Sequence, residues 1–127
     1  MSVENINDRL PVIDQAALEE LRLIMEDEFA DILQVYLDDS ISLMSEVHSG
    51  FNEQHDALLR AAHTLKSSSN NVGAKRLGDI SERIERYVKG NDIESARMHL
   101  DELQDAFTDT HSHIKEYMEH QLNIVAT

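Results

Sequence analysis

From Glu26 to Asn52 the stripe of Phe29, Ile32, Leu33, Tyr36, Ser40, Leu43, Val47 and Phe51 repeats at intervals of three and four. That spacing predicts one long amphipathic helix with a single buried face. Gly50 lowers helix propensity near its end without forbidding it. Leu37 and Ile41 widen the stripe to one side, which allows two placements: against a second neighbouring helix, or in an apolar patch open to a partner. A turn at Glu53-Gln54-His55 follows, with Asp56 as a candidate cap for the next helix.

That next helix has two faces. At ~100° per residue, Leu58, Ala61, Ala62, Leu65, Ser69 and Val72 fall in one apolar or small stripe. His63, Lys66, Ser67 and Asn70 gather to the side, with Leu59 at the margin and Arg60 just beyond. Lys66 follows His63 by three positions and Ser67 by four, so both are its neighbours on the helix surface. Ser67-Ser68-Ser69-Asn70-Asn71 is poor helix composition. The stripe nevertheless persists through it, and the helix is expected to reach about Asn70 and stop at Asn71-Val72-Gly73.

The remaining pattern is also helical. Asp14 reads as an N-cap for a short first helix, Gln15 to Leu21, after the break at Pro11; Ile13 and Leu18 have the spacing of a hydrophobic staple. Leu77, Ile80, Ile84, Tyr87 and Val88 predict a helix from Ala74 to about Lys89, closed by Gly90. Asn91 or Asp92 then caps a final long helix bearing Ile93, Ala96, Leu100, Leu103, Phe107, Ile114, Tyr117 and Met118. No strand pattern or internal repeat interrupts this. Short connections make successive long helices antiparallel, so the expectation is all-α: an up-down-up-down four-helix bundle over residues 14–122, with the short N-terminal helix as a lid on one end. Residues 1–13 read as an extension and 123–127 as a frayed terminus.

Composition narrows the function. The chain has no cysteine, which excludes disulfides and thiolate metal sites. Met1 to Asn5 has neither a basic nor an apolar leader segment, and no apolar run approaches the ~18 residues of a membrane span. A cytoplasmic protein is expected. The net charge of −14 argues against nucleic acid as a partner. The distribution matters more than the total. Residues 60–89 hold seven basic side chains (Arg60, Lys66, Lys75, Arg76, Arg83, Arg86, Lys89) against three acidic ones, while the rest holds four against twenty-two. A basic island around His63 suits attraction of a phosphoryl group or an acidic site.

Ala62-His63-Thr64-Leu65-Lys66-Ser67-Ser68-Ser69, followed by Val72-Gly73-Ala74, resembles the signature of the histidine-containing phosphotransfer (HPt) domain of bacterial phosphorelays, A-H-x-L-K-G-S-[SA]-x-x-[hydrophobic]-G-[AS]. The resemblance lies in one register and extends as a helical pattern over residues 14–120. It implies a phosphoryl group accepted on Nε2 of His63, with Lys66 offsetting its charge and Arg60, Ser67, Asn70 and Gly73 in support. It also implies a docking patch near His63, for which Leu37, Ile41 and Leu59 are candidates. The implied partners are a sensor histidine kinase of the hybrid type and response-regulator receiver domains, which bring their own Mg²⁺. The departure is Ser67, where the family usually has glycine to leave room beside the imidazole. Serine is the next smallest polar choice, and a slower or more selective partner is the expected consequence.

The residues support that chemistry independently. Imidazole has a reference pKa of ~6.5, so a large fraction is neutral near pH 7 and can attack through one nitrogen while the other keeps its proton. Glu82 and Glu85, on the following helix, are both candidates to hold that proton. Nothing in the chain would bind ATP: there is no phosphate-cradling glycine loop, and the four glycines are dispersed. The phosphoryl group must then come from another protein, which makes this a carrier without an intrinsic cofactor, and a monomer suffices. The rival reading is a phosphorylation-independent helical adaptor using the same surface. A metal-centred bundle is disfavoured, because the inward Glu and Glu-x-x-His pattern is missing and His111-x-His113 points to two helix faces. Those two histidines, with His48, His55, His99 and His120, read as surface residues.

Overall fold

The computed structural model describes residues 9–126, and its regular elements are all helical. α1 spans Gln15–Met25, and a 3₁₀ turn at Glu26–Glu28 leads into α2 (Phe29–Gly50). α3 (His55–Asn71) and α4 (Lys75–Lys89) follow, then a short α5 (Ile93–Arg97) and the long α6 (Leu100–Gln121). α2 packs on α3, α3 on α4, α4 on α6 and α6 on α2, which closes a four-helix ring. Up-down-up-down connectivity is as the short loops dictate. No described helix is long and apolar enough to cross a membrane. The expected N-terminal extension falls outside the described residues at positions 1–8, as does Thr127 of the expected frayed end.

Local rules account for most boundaries. The Asp14 side chain accepts from Ala17 N–H at 3.2 Å and starts α1, while Asp92 accepts from Ser95 N–H at 3.2 Å and starts α5. α1 runs four residues beyond the expected Leu21, until Glu26 takes a positive φ of 50° and breaks the axis before α2. Asp56 does not cap α3. Gln54 occupies the cap position without a side-chain bond, and Asp56 stands inside the first turn, where its charge favours the helix dipole.

Leu33, Leu58, Leu65, Leu77, Ile84, Leu103 and Ile114 are fully buried and form the bundle's axis. Ser69, polar within an apolar stripe, is satisfied at 2.8 Å by the Tyr36 hydroxyl of α2, which burial pushes up to about 12 and so keeps neutral. At Gly50 the backbones of α2 and α3 approach closely: a Cβ there would stand 2.7 Å from Leu58 Cβ and 2.9 Å from Leu58 Cα. Neither atom can move without the helix. Gly50→Ala is therefore expected to destabilise by about 1–2 kcal/mol in urea unfolding, overpacking outweighing the helix-propensity gain of about 1 kcal/mol.

Four further expectations change. The final helix is two helices, because Met98 and His99 form a turn. His99 stacks on Tyr87 at 5.6 Å and meets Glu102 at 3.0 Å, while Arg97 lies over the Phe51 ring at 5.1 Å. These contacts hold α5 across the end of α4, and the three-four spacing of Ile93, Ala96, Leu100 and Leu103 continues through the bend. Tyr87 accordingly lies at the surface, 38% exposed, rather than inward. His111 is not a surface residue: it is buried between α6 and α2, with Nε2 2.7 Å from Ser40 Oγ and its ring against Phe107. Leu37 is 1% exposed and belongs to the core.

The N-terminal segment braces the corner between α3 and α4. Asp14 N–H donates to Gly73 O at 2.7 Å, and Arg76 donates to the carbonyls of Pro11 and Leu10 at 3.0 and 2.9 Å. At the same end, the Tyr117 hydroxyl of α6 bonds Glu19 at 2.6 Å and Arg22 at 3.2 Å. α1 therefore sits as a lid where α6 finishes.

Candidate functional site

Burial of Leu58, Ala61, Ala62, Leu65 and Ser69 fixes the rotation of α3 and turns His63 outward, its side chain 58% exposed. Behind the ring stands Glu85 of α4, its side chain only 5% exposed. Its Oε2 lies 2.7 Å from His63 Nδ1 and its Oε1 2.8 Å from Lys66 Nζ. Lys89, one turn along α4, brings Nζ to 3.4 Å from Oε2. One buried carboxylate thus joins an imidazole and two ammonium groups from two helices.

The protonation pattern follows from donor and acceptor chemistry. Burial alone would raise the Glu85 carboxyl, but hydrogen bonds from Lys66 and His63 outweigh it and hold the group below its ordinary value. An ionised carboxylate only accepts, so Nδ1 of His63 is the donor, and in the neutral imidazole Nε2 then carries the lone pair. The arrangement is an oriented nucleophile on an exposed ring, with a cation within one helical turn.

Glu85 rather than Glu82 is the acceptor, because Glu82 faces solvent and pairs with Arg86 at 3.3 Å. A signal for this existed in the chain. Leu77, Ser81, Glu85 and Val88 share one stripe at spacings of four, four and three, which puts a carboxylate on the buried side of α4. The place of Lys89 beside that carboxylate was not legible, since a lysine in a last helical turn is ordinary.

The other candidates divide between the site and its frame. Ser67 is exposed beside His63, Leu59 is half-buried next to it, and Ile41 is 55% exposed on α2. Leu37, buried in the core, is withdrawn as a docking residue. Arg60 lies one turn before His63, by a shallow depression shared with Glu53, His55 and Asp56. Asn70 and Gly73 shape the corner after α3. The Asn70 side chain lies over Gly78 of α4, and the backbone carbonyl of Asn70 accepts from Gly73 N–H at 3.2 Å. Gly73 has a φ of 86°, with Asp14 O 3.0 Å from where a Cβ would stand, so a side chain there meets both strain and a clash.

A cleft of about 730 Å³ lies elsewhere, between α4 and α6 beneath Leu10. Its Arg83 is engaged by Asp79 at 2.9 Å and Glu102 at 3.7 Å. No group of three His, Asp or Glu among the described residues is poised to hold a metal.

The Hpt domain model matches residues 31–113, well over half of the chain and including the His63 segment. Among solved structures, histidine-containing phosphotransfer protein B (HptB) of Pseudomonas aeruginosa PAO1 superposes with a TM-score of 0.82 at 24% identity, over 86% of this chain and 96% of that one. A rice protein assigned as a histidine-containing phosphotransfer protein gives a TM-score of 0.76 at 16% identity, over 88% and 85% of the two chains. At those identities both likenesses concern the fold. A search of curated protein sequences finds no significant match.

Proposed function

The chain belongs to the Hpt domain family, and from that premise we propose that it carries a phosphoryl group on Nε2 of His63 between other proteins of a phosphorelay. The donor is a sensor kinase phosphohistidine or a receiver-domain phosphoaspartate, and the acceptor a response-regulator receiver domain. One observation carries this reading: the 2.7 Å contact from Nδ1 to the buried Glu85 carboxylate, which aims the lone pair of an exposed ring outward.

In the accepting step the Nε2 lone pair attacks phosphorus in line. The bond from phosphorus to the donor's oxygen or nitrogen breaks, its electron pair leaving with the donor. Lys66, 23% exposed at the rim, offsets charge on the transferred group. Mg²⁺ brought by the receiver would supply further neutralisation of charge on the phosphoryl oxygens. Ser67 leaves space for the partner, its hydroxymethyl group the one addition where glycine is usual. Ile41 and Leu59 form the apolar part of the docking surface and Arg60 steers an acidic partner. The protein works as a monomer and is itself no kinase.

The test is incubation of the chain with a phosphorylated receiver domain. The expected result is an acid-labile, alkali-stable phosphoryl group on this protein. Binding of several receivers with no label transferred would overturn the carrier reading in favour of a helical adaptor.

A further inference from the structure

The acceptor behind His63 is a charge as well as a hydrogen-bond acceptor, and this distinction matters for the phosphorylated state. A phosphoryl group on Nε2 leaves easily only if the departing ring is neutral imidazole. For that, Nδ1 must hold a proton while phosphorus is attached. If Nδ1 has lost it, the leaving group is an imidazolate anion and the P–N bond breaks far more slowly.

Resting on the carrier reading above, we propose that the Glu85 carboxylate acts as a fixed counter-charge that keeps the Nδ1 proton on phosphorylated His63 through and above neutral pH. The Oε2–Nδ1 separation of 2.7 Å makes it the nearest charge on that side of the ring. Its side chain is 5% exposed, so water screens the pair weakly. The other charged groups facing the pair are Lys66 from α3, on the far oxygen at 2.8 Å, and Lys89 from α4, at 3.4 Å. Among the described residues these are the charged groups paired with either side chain. They oppose the carboxylate's pull on the ring but keep it ionised, and Lys66 turns its charge to the phosphoryl oxygens once the group is attached. The Glu82–Arg86 pair flanks the site and satisfies itself.

The atoms balance with no proton moved. On acceptance, Nε2 gains phosphorus and the ring becomes a cation with its hydrogen still on Nδ1, paired with Glu85. On donation, the P–N electron pair returns to Nε2, a P–O bond forms on the acceptor's carboxylate, and neutral imidazole remains. The same proton stays on the same nitrogen in both directions, so transfer is reversible without a general base.

Glu85→Gln separates charge from orientation, because the amide oxygen still accepts from Nδ1–H. The full chain is phosphorylated chemically with phosphoramidate, which needs no partner. The phosphorus-31 shift and the rate of phosphoryl loss to water are then followed from pH 5 to 10. The expected midpoint for loss of the Nδ1 proton is about one pH unit or more lower in Glu85→Gln than in wild type. At pH 9 the variant should then release phosphate about tenfold more slowly, with the two proteins converging near pH 5. Coincident midpoints would overturn the proposal, leaving Glu85 an orienting group only. If Glu85→Gln fails to fold, the wild-type midpoint is compared with that of free phosphohistidine: a higher value supports the proposal and an equal or lower one overturns it. If wild type takes no phosphoryl group from phosphoramidate, it is the carrier reading that fails.

Discussion

His63→Gln eliminates phosphoryl acceptance while leaving the bundle as stable as before. With the only lone-pair nitrogen of the site removed, label from a phosphorylated receiver domain should fall to background, because the glutamine amide is no nucleophile at neutral pH. The ring is 58% exposed and contributes nothing to the core, so unfolding free energies from urea titration should agree to within about 0.5 kcal/mol. The glutamine amide N–H₂ can still donate to Glu85, which keeps the buried carboxylate partnered. Receiver binding, read by titration calorimetry, should change little. Unfolding of this variant would contradict the placement of His63 off the core. Retained label would put the chemistry on another residue.

Acid destabilisation should centre on His111, which is buried between α6 and α2. Burial depresses this imidazole, with Lys115 adding to the effect and Asp38 opposing it, from 6.5 to about 4. In the unfolded chain the group takes a proton as pH falls below 6.5; in the folded chain it stays neutral until about 4. Unfolding therefore takes up a proton in that window. Stability is fully present above pH 6.5 and lost progressively below it, by about 3 kcal/mol at pH 4. Glu85, also held below its ordinary value, acts in the same direction at the acid end, its contribution lost as pH falls through its lowered value. Urea unfolding from pH 7.5 to 4 measures the slope. His111→Gln should flatten it between pH 6.5 and 4, whatever its absolute stability; an unchanged slope would place the acid response elsewhere.

Much of this architecture is legible in local chemistry. Asp14 and Asp92 cap because a carboxylate can satisfy the free N–H groups of the first turn within three residues. The Asn71-Val72-Gly73 stop works because Gly73 takes a φ of 86°. The rotation of α3, and with it the outward face of His63, follows from the stripe Leu58, Ala61, Ala62, Leu65 and Ser69. Less was legible wherever the pattern is compatible with two packings. Leu37 and Ile41 are four apart on one face of α2, yet they are 1% and 55% exposed, because neighbouring helices cover one and stop short of the other. The break at Met98-His99 preserves the three-four spacing, so periodicity runs through it unchanged.

By itself, then, the amino-acid sequence determined the helical class, the number and order of the long helices, most of their ends, and the face on which His63 stands. Each of these depends on interactions spanning a few residues or one helical turn. Tertiary structure alone decided that the Glu85 carboxylate meets the imidazole, that Lys66 and Lys89 share it, and that His111 is sealed against Ser40. Those choices turn on how two helices rotate and how closely they approach. A rotation of α4 by one residue, about 100°, would carry the Glu85 carboxylate away from the ring with hardly any change in local propensity.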